Sequence, residues 1–71
     1  MDELKQKFGK RLRFVRRQKD LTQEQLAELV GLSVEFISNI ERGINSPSFS
    51  TLEKLEKVLH MPVSEMFKFP D

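Results

Sequence analysis

The sequence predicts an all-α fold, a compact bundle of five short helices. Three observations predict it. Apolar residues recur at three- and four-residue spacing along the chain, the period of helices buried along one face. No segment alternates apolar and polar residues over the length of a strand. Helix-start and helix-stop residues punctuate the chain at short intervals. A chain of 71 residues holds one domain. Its core is expected over about residues 4–67, with a tail, 68–71, that frays. A domain this small buries only about 60% of its unfolded surface, so the core must be simple.

Leu4, Phe8, Leu12 and Val15 fall at i, i+4, i+8 and i+11 and form the stripe of a first helix over about residues 2–18. Thr22 and Gln25 make a capping box at the start of a second helix, with Leu21 and Leu26 at the positions of a hydrophobic staple. Leu26, Leu29 and Val30 are its inward face. Gly31 can take the left-handed conformation that stops it. Ser33 then caps a third helix, residues 33–42, with Leu32 and Ile37 as staple and Gly43 as stop. Two short helices joined over so few residues form a helix-turn-helix unit, residues 22–42. Asn45, Ser46 and Pro47 are a loop. Ser48 caps a fourth helix, with Ser50 and Glu53 as an alternative pair. Its stripe is Phe49, Leu52, Leu55, Val58 and Leu59, and His60 ends it. Pro62 suits the start of a fifth helix reaching about Phe67.

The net charge of +1 hides an asymmetry. Residues 1–20 carry eight Lys or Arg and three acids, a balance of +5, whereas residues 21–71 carry four basic and eight acidic side chains, a balance of −4. A basic first segment can touch phosphate, or it can be an ordinary solvated helix face. The absence of cysteine excludes disulfides and thiolate metal sites. Apolar residues never run long enough for a membrane span or a signal peptide. The expectation is a soluble, cytoplasmic protein with no membrane partner and no room for a ligand-binding domain.

Advancing about 100° per residue along the third helix puts Ile37 and Ile40 on one side. Glu35, Ser38, Asn39 and Arg42 cluster opposite, with Val34 at the edge. Asn pairs bidentately with adenine, Glu accepts from cytosine N4, and a methyl packs on thymine. The ordinary alternative is a solvated face, but the tight turn makes this helix protrude.

The segments "GKRLRFVRRQKDLTQEQLAELVGLS", "FISNIERG" and "SPSFSTLEKLEKVL" resemble the Cro/phage-repressor-type helix-turn-helix family, also called the XRE family, over about residues 8–67. The resemblance implies a five-helix, phage-repressor-like domain that binds double-stranded DNA, with its third helix in the major groove. It implies a small transcriptional regulator, a repressor in type, working without cofactor, metal or small-molecule ligand. Val34, Glu35, Ser38 and Asn39 would read bases. Gln23, Ser33, Phe36, Arg42, Asn45 and Ser46 would meet the DNA backbone. Arg16 and Glu41 match positions that form a partly buried ion pair in relatives.

Some positions depart from the family pattern. Phe14 stands where a polar residue is usual, and Ile44 where many relatives have a basic one. His60 replaces a glycine. As the only histidine, without a ligand-spaced partner, it reads as structural.

One reading helix covers about four base pairs, so two half-sites and a two-fold symmetric homodimer are expected. Met61, Val63, Met66, Phe67 and Phe69 are more apolar than the end of a small domain needs. Val63 and Met66 suit the core. Phe67 and Phe69 suit a dimer interface, with Phe14 beside them or left as a lone exposed ring. Two other readings compete with DNA binding. A protein-interaction module or antitoxin could keep the fold without the DNA activity, and the acidic residues 21–71 favour it. An enzyme lacks any nucleophile–His–acid set, phosphate-cradling loop or HExxH motif.

Overall fold

The computed structural model describes residues 3–70. Four α-helices follow in order: α1 (Glu3–Gln18), α2 (Gln23–Val30), α3 (Val34–Glu41) and α4 (Phe49–Leu59). The predicted fifth helix is not an α-helix. It is a 3-10 helix, Val63–Phe67. Five residues are too few to sustain an α ladder, and short pieces are where 3-10 geometry occurs. Its first amide is also taken from outside, because the Val63 N–H donates to the Glu56 carboxylate of α4 at 2.8 Å. The expected start of α1 at residue 2 and the tail end at residue 71 lie outside the described residues. Contacts reach into the tail: Phe69 is half-buried against the core, and Lys68 pairs with Glu65 at 2.8 Å.

A left-handed residue closes each α-helix: Asp20, Gly31, Gly43 and His60. In each case the next N–H reaches back five residues. Leu21 donates to the Arg16 carbonyl, Leu32 to Ala27, Ile44 to Asn39 and Met61 to Glu56, at 2.8–3.3 Å. This is the Schellman arrangement, which satisfies carbonyls that the helix itself leaves open. The starts are equally local. Thr22 and Gln25 form the complete capping box, Ser33 accepts from Phe36 N–H, and Ser48 from Thr51 N–H.

All five elements contribute to one core: Phe8, Leu12, Val15, Leu26, Ala27, Val30, Ile37, Ile40, Leu55, Leu59 and Met66. Three residues expected in it are outside. Leu4 is 60% exposed, Leu29 57% and Phe49 90%. The first turn of α1 meets the loop after α3 through Lys5 and Gln6, at Ile44 and Gly43, and Leu4 lies outside that contact. In α2 the small Ala27 takes the inward place, and Leu29 lies on the other flank. Phe49 stands about 120° around α4 from the buried Leu55 at 100° per residue. Periodicity gives each helix a face, but the neighbours decide how wide that face is.

Candidate nucleic-acid interface

Everything that makes α3 a presentable helix is visible at its two ends and on its back. At the front end, Gly31 has φ 73°, and the Schellman bonds around it turn the chain into Ser33. At the back end, Gly43 has φ 78°, and both Ile44 and Asn45 N–H groups donate to the Asn39 carbonyl. Ile37 and Ile40 anchor the inner face without solvent exposure.

A second anchor is polar and buried. Arg16 of α1 donates from Nε to Glu41 Oε2 at 2.6 Å and from Nη2 to Oε1 at 3.0 Å. Its third nitrogen, Nη1, donates to the Leu21 carbonyl at 2.7 Å. Gln23 Nε2 donates to Glu41 Oε1 at 3.0 Å. One carboxylate therefore ties the end of α3 to the end of α1, and Gln23 ties the first turn of α2 to both. A bidentate guanidinium pair fixes orientation as well as distance. Among the described residues no buried side-chain polar atom lacks a partner.

Gly9 completes the contact between α1 and α3. A Cβ there would overlap the Ile40 carbonyl oxygen and come within 2.7 Å of the Glu41 oxygen. The backbones meet without a side chain between them. A glycine in a helix interior costs about 1 kcal/mol relative to alanine, and that cost was the available sequence signal for a close approach.

Held this way, α3 turns Val34, Glu35 and Arg42 fully outward, with Ser38 and Asn39 half-buried beside them. Among the described residues these side chains make no intramolecular hydrogen bond or ion pair, so their polar groups point to solvent unspent. Glu35 lies in the first turn of α3, where the helix dipole also favours an acid.

The positions expected at the DNA backbone divide into two sets. Ser33 Oγ is occupied by the Phe36 N–H, and Phe36 is half-buried on the core. Gln23 is held by Glu41, with its second amide hydrogen still available. Arg42 and Ser46 are exposed, and Asn45 is half-buried. Phe14 and Phe69 line one cavity, and Phe67 packs on Phe69 rather than on Phe14. Phe67 meets Phe8 and Phe69 with centroids 5.1 and 6.0 Å apart, whereas Phe14 sits under the Arg11 guanidinium at 5.6 Å.

A family profile described as Helix-turn-helix matches residues 12–66, which take in the capped α2, the left-handed glycine turn and α3. The chain belongs to this family. Its relatives place it in the Cro/phage-repressor, or XRE, type. The HTH-type transcriptional regulator PuuR of Escherichia coli (strain K12) is 48% identical over 63 residues, which are 89% of this chain and 34% of PuuR. The chain thus spans about a third of that regulator's length. Control protein C.MunI of Mycoplasma sp is 37% identical over 68 residues, 94% of this chain and 92% of C.MunI. The crystal structure of the restriction-modification controller protein C.AhdI from Aeromonas hydrophila superposes with a TM-score of 0.86. It is 40% identical, with 89% of this chain and 96% of that chain covered.

Helix-turn-helix regulators of this type are non-enzymatic. Among the described residues no helix is long and apolar enough to cross a membrane.

Proposed function

We propose that this helix-turn-helix chain is a sequence-specific transcriptional regulator that binds double-stranded DNA in the cytoplasm, with α3 in the major groove. The observation that carries this reading is the pairing of a rigid back with an unspent front. Arg16, Glu41, Gln23 and Gly9 fix α3, while Val34, Glu35, Ser38 and Asn39 leave their outer atoms to a ligand. Rigidly mounted groups are what base-edge readout needs, since a misplaced bidentate donor loses its discrimination. Arg42, Ser46 and the second Gln23 hydrogen serve the phosphates on either side, and such contacts set register rather than sequence.

The protein acts as a homodimer on two half-sites. Phe67 is the centre of the contact, supported by the exposed Leu4, which lies one turn before Phe8 on the same stripe of α1. A controller's role in a restriction–modification setting is the context favoured by C.AhdI, matched over 96% of its own length.

Selection of binding sites from a random duplex library tests the reading. The expected result is a sharp motif of two inverted half-sites about one helical turn apart. Retention of duplexes without any motif, or none at all, would favour a protein-interaction module instead.

A further inference from the structure

A second surface lies on α1, away from the reading helix. Gly9 and Arg16 face α3. At about 100° per residue, Phe14 stands about 140–160° around α1 from both, so it points away when α3 meets DNA. Phe14 is 51% exposed. It lines a cavity of about 630 Å³ with Phe69, Pro70, Lys7, Lys10, Arg11 and Lys68. An adjoining cavity of about 520 Å³ shares Lys10 and Phe14 and continues to Arg13, Arg17 and Gln18. The two adjoin in one groove along α1, with Phe14, Phe69 and Pro70 among its lining residues.

Its rim is strongly cationic. Among the described residues Glu65 offsets it directly, bound to Lys68 at 2.8 Å and 3.9 Å from Arg11. A second copy of the chain placed here by a two-fold axis would set these cations against their own images, a costly juxtaposition. A nucleic-acid backbone would satisfy the charges but would gain little from Phe14, Phe69 and Pro70. An acidic segment with an apolar side chain satisfies both halves of the surface.

We propose that the groove lined by Phe14 and Phe69 and rimmed by Lys7, Lys10, Arg11 and Lys68 docks an acidic, apolar-anchored segment of a partner protein. It does so while α3 remains open to DNA, so the groove is where a second protein couples to the regulator.

The test is titration of the full chain with a labelled helical peptide of glutamates carrying two leucines one turn apart. Three competitors accompany it: the same peptide with serine for leucine, polyglutamate, and a random 20-base-pair duplex. Backbone NMR shifts should concentrate at Lys7, Lys10, Phe14, Arg17 and Phe69. The serine peptide and polyglutamate should each bind about tenfold more weakly. Lys10→Glu, an exposed change on α1, should weaken the peptide by about tenfold with the melting temperature unchanged, and Phe14→Ser should do the same. Equal binding of polyglutamate would reduce the groove to a charge patch and overturn the proposal. So would shifts centred on α3, displacement by the duplex at this face, or no peptide binding at all.

Discussion

Arg16 Nε and Glu41 Oε2 lie 2.6 Å apart, joining side chains 25 positions apart in sequence, and both residues are buried. The pair is where the support of α3 is most concentrated. Removing one partner strands the other charge, and we predict a loss of about 3–5 kcal/mol for Arg16→Ala or Glu41→Ala. A domain has only about 5–15 kcal/mol in total, so each variant will be close to unfolding. Urea denaturation in the cold should show that the double variant loses much less than the sum of the singles. Additive losses would mean that the two side chains are energetically independent.

Gly9 and Gly31 make a contrasting pair. At Gly9 an alanine methyl meets the Ile40 and Glu41 carbonyls, and backbone cannot yield as a side chain can. We predict that Gly9→Ala costs about 1–3 kcal/mol through overpacking, despite alanine's better helix propensity. It should also weaken DNA binding, because relief requires α3 to move. At Gly31 there is open space, but φ is 73°. Gly31→Ala should cost about 1–2 kcal/mol for the left-handed backbone. Thermal melts together with DNA titrations separate the two, and equal effects on DNA affinity would contradict the close-approach account.

Much of this was legible in the sequence because it is local. Thr22, Gln25, Gly31 and Ser33 act within a few residues of themselves, so their types and spacing are enough. Less of the long-range packing was legible. Leu4, Leu29 and Phe49 fit helical periods yet are exposed, since a period cannot say where a neighbouring helix ends. Asp20 at φ 58° takes a place usually held by glycine, and nothing in its type requires that. The bond from Gln23 to Glu41 spans two elements and depends on how they pack. In the candidate interface the outward face of α3 followed from the wheel and the Arg16–Glu41 pair from the family resemblance, whereas the Gly9 approach and the Gln23 bond depend on how the helices pack.

Reading and positioning should separate in binding assays. Asn39→Ala is predicted to cost about 1–3 kcal/mol on the preferred site and to relax preference at one base pair. Glu35→Gln should raise affinity for random DNA and lower discrimination, because an acid facing phosphate filters poor sites. Gln23→Ala should weaken every duplex alike and also lower stability, since Glu41 loses a donor. A selection logo unchanged by Glu35→Gln would remove that residue from the reading set.

Glu65 gives the stability a pH dependence. The hydrogen bond from Lys68 is the largest influence and holds its carboxyl below the ordinary value of 4.5; desolvation opposes it, and the charges of Lys68 and Arg11 add smaller pulls downward. A carboxyl depressed in the folded state stabilises the fold above its unfolded pKa. That contribution is lost as pH falls through the lower folded value. The difference in melting temperature between wild type and Glu65→Gln should therefore be constant above pH 4.5 and shrink below it. A difference that persists unchanged into stronger acid would mean that the carboxylate's charge is not what stabilises the 3-10 helix.

The last prediction concerns the dimer. Phe67 is partly exposed, and its ring continues a stack onto Phe8 and Phe69. Phe69 is half-buried on the core, so replacing it would confound folding with association. Leu4 is the cleaner probe, exposed on the first turn of α1. A short terminal patch falls at the small end of the roughly 1,200–2,000 Å² of stable interfaces, so association of the free protein should be weak. DNA would strengthen it, because two adjacent half-sites raise the effective concentration of one protomer beside the other. Sedimentation equilibrium of wild type, Leu4→Glu and Phe67→Ser, each with and without the selected duplex, measures this. Wild type should place two protomers on one site, and Leu4→Glu should bind there as a monomer with lower affinity and an unchanged fold by circular dichroism. One wild-type protomer per site, with no self-association at high micromolar concentration, would rule out the two-fold arrangement.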